Sequence, residues 1–149
     1  MKSLKPLIAL LGCSLVQVLF LAKPLQSQEL LKPISPKFAP DPQVYTGTAG
    51  GDLELQDIAG KSNGDCQGLA LRNPNHSLSV QKKFGFLSLR VTGDRSLSIL
   101  VKGPDGNYCR SGKSPELSGE WLAGKYQIWV GSSNGDRVNY KLTISETNQ

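Results

Sequence analysis

From Tyr45 onward the apolar residues recur with a period of two. Leu87, Leu89 and Val91 alternate with Ser88 and Arg90; Leu97, Ile99 and Val101 alternate with Ser98 and Leu100. Tyr140, Leu142 and Ile144 alternate with Lys141 and Thr143, Tyr126, Ile128 and Val130 form a fourth set, and His76, Leu78 and Val80 a weaker fifth. Successive side chains of a strand point to opposite faces, so such alternation marks strands with one face buried. No stretch beyond residue 45 sustains a helical period. Gly93-Asp94, Pro104-Asp-Gly106, Ala123-Gly124 and Asn134-Gly-Asp136 separate the runs and supply the turn residues that hairpin connections require. Several short strands with closely spaced turns predict an all-β fold, an antiparallel β-sandwich of jelly-roll type, over residues 45–149.

The chain before residue 45 has a different character. Lys2 and Lys5 precede an apolar run from Pro6 to Ala22, and the polar stretch Lys23-Pro-Leu-Gln-Ser-Gln28 follows. Charge, apolar run and polar exit in that order read as a secretory signal peptide over residues 1–27, with cleavage after Ser27. Leu10-Leu-Gly-Cys13 offers a lesser alternative, lipoprotein anchoring through Cys13, but the apolar run continues past the cysteine through Phe20. The run is at the short limit for a membrane span, so no span is expected after cleavage. Residues 28–44 carry prolines at 33, 36, 40 and 42 and read as an extended, largely unpaired linker. These features place the protein in the periplasm or outside the cell.

Export changes the charge and the cysteine count. The 17 basic residues include Lys2, Lys5 and Lys23, whose removal leaves 14 against 12 acidic ones. A net charge of about +2 with no basic run gives no footing for nucleic-acid binding. Of the three cysteines, Cys66 and Cys109 survive cleavage, and two cysteines in an oxidising compartment pair most simply as one disulfide. Closing that loop removes unfolded-state entropy equivalent to about 4 kcal/mol.

Three segments, "DCQGLALRNPNHSLSV", "FGFLSLRVTGDRSLSILVKGPDGNYC" and "GEWLAGKYQIWVGSSNGDRVNYKLTISE", together resemble the bacterial pre-peptidase C-terminal (PPC)-like domains. The likeness rests on Cys66 followed by Pro74-Asn75-His76, Gly93-Asp94 before a β-run, Gly103-Pro-Asp-Gly106 leading to Cys109, and Gly124-Lys-Tyr-Gln-Ile-Trp-Val-Gly131 before a closing Tyr-x-Leu-x-Ile-Ser strand. It implies a small exported accessory β-sandwich without catalysis of its own, found beside secreted enzymes or alone. Similar domains often carry an acidic run after the second cysteine, where this chain has Arg110-Ser-Gly-Lys113. That substitution argues against a calcium site there.

No catalytic residue is expected. His76 is the only histidine and lies in phase with Leu78 and Val80, so it reads as the start of a strand with local hydrogen bonds rather than as the base of a triad. No Gly-x-Ser-x-Gly elbow or His-Glu-x-x-His helix occurs. "GNYCRSGKS" at 106–114 imitates a phosphate loop but has one residue too many before Gly-Lys-Ser, and Pro115 follows at once. Calcium has a weak set of loop oxygens at Asp94, Asp105 and Asp136, with Asp65 and Asn107 also in loops, but the same residues are what turns demand. No cofactor is therefore expected. The aromatics Trp129, Trp121 and Tyr108 are the candidate ligand contacts: Trp129 falls out of phase with its strand's apolar set, and the other two flank loops. The expected function is a non-catalytic binding or structural module at the envelope or outside the cell. A cell-surface polysaccharide, stacked on exposed rings, or an exported protein such as a hydrolase is the matching partner.

Overall fold

The computed structural model describes residues 28–148; the signal-peptide reading of residues 1–27 and Cys13 fall outside the described residues. The strands are β1 (Glu29–Leu30), β2 (Gln43–Ala49), β3 (Leu53–Glu54), β4 (Asn63–Gly64), β5 (Leu69–Ala70), β6 (His76–Val80), β7 (Phe84–Gly93), β8 (Leu97–Gly103), β9 (Gly106–Gly112), β10 (Glu116–Trp121), β11 (Gly124–Ser132) and β12 (Val138–Ser145), with one short helix, α1 (Leu55–Ala59). They form two sheets. The larger runs β1-β6-β11-β8-β9-β4, with β5 beside one end of β11 and β3 beside β5; the smaller runs β10-β7-β12-β2. All five alternating runs are strands, and their in-phase residues meet between the sheets: Leu78, Leu89, Val91, Ile99, Val101, Ile128, Leu142 and Ile144 are buried in one core. The fold is the expected all-β sandwich with one disulfide.

Two expectations change. After β6 the chain crosses from sheet to sheet at nearly every turn, so Gly93-Asp94, Ala123-Gly124 and Asn134-Gly-Asp136 are arches between layers, not hairpins. Only Pro104-Asp105 closes a hairpin, between β8 and β9, with Gly103 opposite Gly106 and Gly106 at φ 142°. Turn chemistry lets a chain reverse; which strand it then pairs with is decided by distant partners.

The arm at 28–44 is not an unpaired linker. Glu29 and Leu30 pair in parallel with His76 and Ser77, and the backbone ladder continues from Leu31 N–H to Ser77 C=O (2.9 Å) and from Ile34 N–H to Ser79 C=O (3.0 Å). Leu31 and Ile34 are buried in the main core, and Phe38 packs edge-on against Phe84 at 6.0 Å. Pro33 and Pro36 fit because an edge strand uses only one row of its donors, here those of Glu29, Leu31 and Ile34. Glu146 receives the backbone N–H groups of Lys37 and Phe38, which fastens the far end of the arm. The arm covers the edge that β6 would otherwise expose.

A second cluster lies on the outer face of the larger sheet. Trp129, Leu100 and Cys109 form a row across β11, β8 and β9, and Leu55, Ala59, Cys66 and Ala70 cover it. Cys66 and Cys109 form the disulfide, with Cα atoms 5.1 Å apart, so the staple holds this flap against the sheet.

Candidate functional site

Strands β9 and β10 face each other at one corner of the sandwich, next to the β8–β9 hairpin and the start of β11. The gap between them is a cleft of about 130 Å³. Asp105 reaches it from the hairpin, Tyr108 from β9, Glu120 and Trp121 from β10, and Tyr126 from β11. The Trp121 and Tyr126 rings lie 4.8 Å apart at 52°, a tilted pair that forms one wall. Tyr126 donates to the Leu122 carbonyl at 2.8 Å, and Tyr108 donates to Asp105 Oδ2 at 3.1 Å. Burial, reinforced by the Asp105 charge, pushes the Tyr126 phenol up to about 12. Tyr108 is raised by burial and by its bond to Asp105. Glu120 is shared with Lys83 at 2.9 Å, outside the lining.

Position along the strands explains the gathering. Tyr108 and Tyr126 lie on inward-facing positions of β9 and β11; the Tyr108 ring is half-buried, whereas Tyr126 is packed into the main core. The sequence pointed to Trp121 and Tyr108, which the fold brings together. Tyr126, whose phase reads as inward-facing, is a core residue that also borders the cleft, and nothing in the sequence singles out Glu120.

Trp129 does not join them. It points away from the main core, as its phase requires, but the flap covers that face and leaves it 5% exposed. Its indole N–H donates to the Arg72 carbonyl at 3.2 Å, and Lys102 Nζ lies 5.7 Å above the ring. It presents no free ring face for a ligand.

The weak calcium set is dispersed. Asp94 and Asp136 lie in arches at one end of the sandwich and Asp105 in the hairpin at the other, about 20 Å away along a seven-residue strand. Asp136 is already engaged by Arg95 at 3.1 Å and by Asn134 at 2.7 Å. Among the described residues no three His, Cys, Asp or Glu side chains gather as a metal site would need.

His76 begins β6 as expected, but its bonds are not local. Its Nδ1 lies 2.8 Å from Glu29 Oε2 on the arm, close but not aligned as a hydrogen bond, and its Nε2 lies 2.7 Å from the Tyr140 hydroxyl on the opposite sheet. Tyr140 in turn lies across Gly47 of β2, where a Cβ would come within 2.4 Å of the hydroxyl. The order acid, imidazole, hydroxyl imitates a hydrolytic triad. Both rings are sealed, however: His76 is 1% exposed and Tyr140 3%. Burial holds the imidazole below its ordinary value against the upward pull of Glu29, and pushes the phenol far up. The group braces three strands: β1, β6 and β12.

The fold thus defines a disulfide-stapled, arm-capped β-sandwich with a small aromatic corner cleft. In sequence the chain is similar to an uncharacterized protein of Synechococcus elongatus, 27% identical over 101 residues that cover 63% of this chain and 75% of the relative. No family model matches the chain, and no solved structure matches it. The likeness to the PPC-like domains therefore rests on the order of motifs alone.

Proposed function

We propose that this protein is a non-catalytic, exported binding module whose ligand enters the corner cleft. The cleft carries the reading: Trp121 and Tyr108, separated in sequence from Tyr126 and Asp105 by up to 18 positions, converge on one partly open cavity. The absence of catalysis is supported by His76, the only histidine, being sealed as a brace. Export is supported by the signal-peptide pattern and by the disulfide, which suits an oxidising compartment. The order of PPC-like motifs agrees with such an accessory module, presented to an exported protein or a cell-surface polysaccharide.

A thermal-shift screen of sugars, amines and short peptides tests the proposal, because a ligand that binds only the folded state stabilises it, by about 2.7 kcal/mol at a hundredfold excess over Kd. Saturable stabilisation that Tyr108→Ala removes supports the cleft. Stabilisation untouched by that change, or none across the screen, overturns it. N-terminal sequencing of the exported protein should begin at Gln28; a cytoplasmic chain retaining Met1 would refute export.

A further inference from the structure

We propose that two copies of this protein exchange their N-terminal arms, with the Pro36-Lys37 turn as the hinge. The inference stands apart from the corner cleft, whose lining includes no residue of the arm. What the edge of β6 accepts is visible within one chain. The arm adds a parallel strand there, Glu29 opposite His76 and Leu30 opposite Ser77. Its ladder runs from the N–H groups of Glu29, Leu31 and Ile34 to the carbonyls of Asn75, Ser77 and Ser79, and the Ile34 carbonyl accepts from Gln81 at 2.9 Å. Leu31 and Ile34, each 1% exposed, fill the core beneath. All of these contacts join the arm to the body of the sandwich. The arm of a second copy offers the same atoms in the same order, so it makes the same contacts.

The connection is what makes the arm exchangeable. Just past Ile34 the chain leaves β6 through a turn at Pro36 and Lys37. Lys37 has φ 66°, and among the described residues it is the only one besides glycines at positive φ. A turn with proline first and a left-handed residue second takes glycine at that second position, because a Cβ there crowds the carbonyl that follows. The lysine side chain is exposed, so no burial compensates the strain. Glu146, just past β12, holds the turn shut by accepting the N–H groups of Lys37 and Phe38. Short hinges under strain invite exchange, since opening them relaxes the strained residue. Pro36 suits the opened form as well as the turn, its φ being fixed at a value that extended chain shares. Tethering favours a chain's own arm in dilute solution, and a second copy's arm competes as concentration rises. Reciprocal exchange closes a two-fold dimer that leaves neither β6 edge bare and carries two corner clefts.

A covalent trap tests the exchange. Monomers of Leu30→Cys and of Ser77→Cys, isolated by size exclusion from dilute exported protein, are mixed, concentrated and then mildly oxidised. The two positions are register partners, and neighbouring strands lie about 4.8 Å apart, within the reach of a disulfide. Leu30 is 80% exposed, so its replacement removes no packing. In an unexchanged chain position 30 faces the native Ser77 of its own copy, and only an exchanged arm brings the two substituted positions together. A covalent heterodimer is expected from the mixture and not from Leu30→Cys alone. The dimer fraction of the native protein should rise with concentration in sedimentation runs. Lys37→Gly, which takes positive φ without penalty, should weaken dimerisation roughly tenfold, and Lys37→Val, whose branched Cβ resists that φ, should strengthen it. Absence of any dimer at the highest concentration the protein tolerates, or a dimer without the 30–77 link, overturns arm exchange. So does linkage of Leu30→Cys copies to one another, which marks side-by-side pairing of two edges. A dimer indifferent to both Lys37 variants overturns the turn as its hinge.

Discussion

His76 shows how one side chain can join parts of a chain that are far apart in sequence. It contacts Glu29, 47 positions before it, and Tyr140, 64 positions after it. With the ring proton on Nδ1 facing the carboxylate, Nε2 accepts from the phenol. Tyr140→Phe leaves that buried nitrogen without a donor, and an orphaned buried acceptor costs about 1–3 kcal/mol, measurable by denaturant unfolding. Acid acts on the same ring. Its folded pKa is depressed, so the unfolded chain takes up the proton first and stability falls as pH drops below the unfolded value of about 6.5. Unfolding free energies measured across that window should decline in the native protein and be flatter in His76→Gln. Glu116 titrates lower. Burial raises its carboxyl, but hydrogen bonds from Ser88 and Arg90 outweigh burial and hold it below its ordinary value. Its contribution is present above the unfolded carboxyl value and is lost as pH falls through the depressed one, so Glu116→Gln should reduce acid sensitivity below about pH 4.5.

Among the elements, the arm departs furthest from the composition around it. Four prolines in residues 28–44 read as a spacer because each removes a donor and disfavours helix. An edge strand makes no use of the donors those prolines lack, and Leu31 and Ile34 supply the burial that holds it. Leu31→Ala should cost about 2–5 kcal/mol, the usual range for truncating a buried leucine, and a limited protease should then cut within 28–44 before the sandwich opens. Unchanged stability would mean that the arm spends its time undocked. The disulfide is also an element-scale device. It joins the flap over Trp129 to β9 and lies outside the main core, so reduction should raise hydrogen exchange across residues 53–70 before it affects β7 or β12. The accompanying loss of global stability is expected to be about 2–5 kcal/mol.

For the whole molecule, the two layers differ in what they leave to solvent. The smaller sheet turns Thr46, Arg90, Lys141 and Thr143 outward, a polar face that alternation alone predicts. The larger sheet is covered on its outer face around Leu100, Cys109 and Trp129 by residues 53–70, which leaves Trp129, placed on that face by its phase, 5% exposed. The five alternating strands, their inward residues and the Cys66–Cys109 pair were legible because each follows from a local period or from simple cysteine arithmetic; β2 and β10 show no such period and were not. The five-residue α1 was not, being too short to show a period. Neither the Glu29–His76–Tyr140 brace nor the corner cleft could be read, because both join residues whose separation along the chain carries no signal.

The sequence by itself therefore determined which face of each strand is apolar, since side-chain direction along a strand alternates whatever the strand pairs with. The tertiary structure alone decided whether a turn is a hairpin or an arch, whether a proline-rich arm docks, and which aromatic rings stay accessible. Each of those depends on which surface packs against which, and burial is a property of the assembled layers rather than of any segment in them.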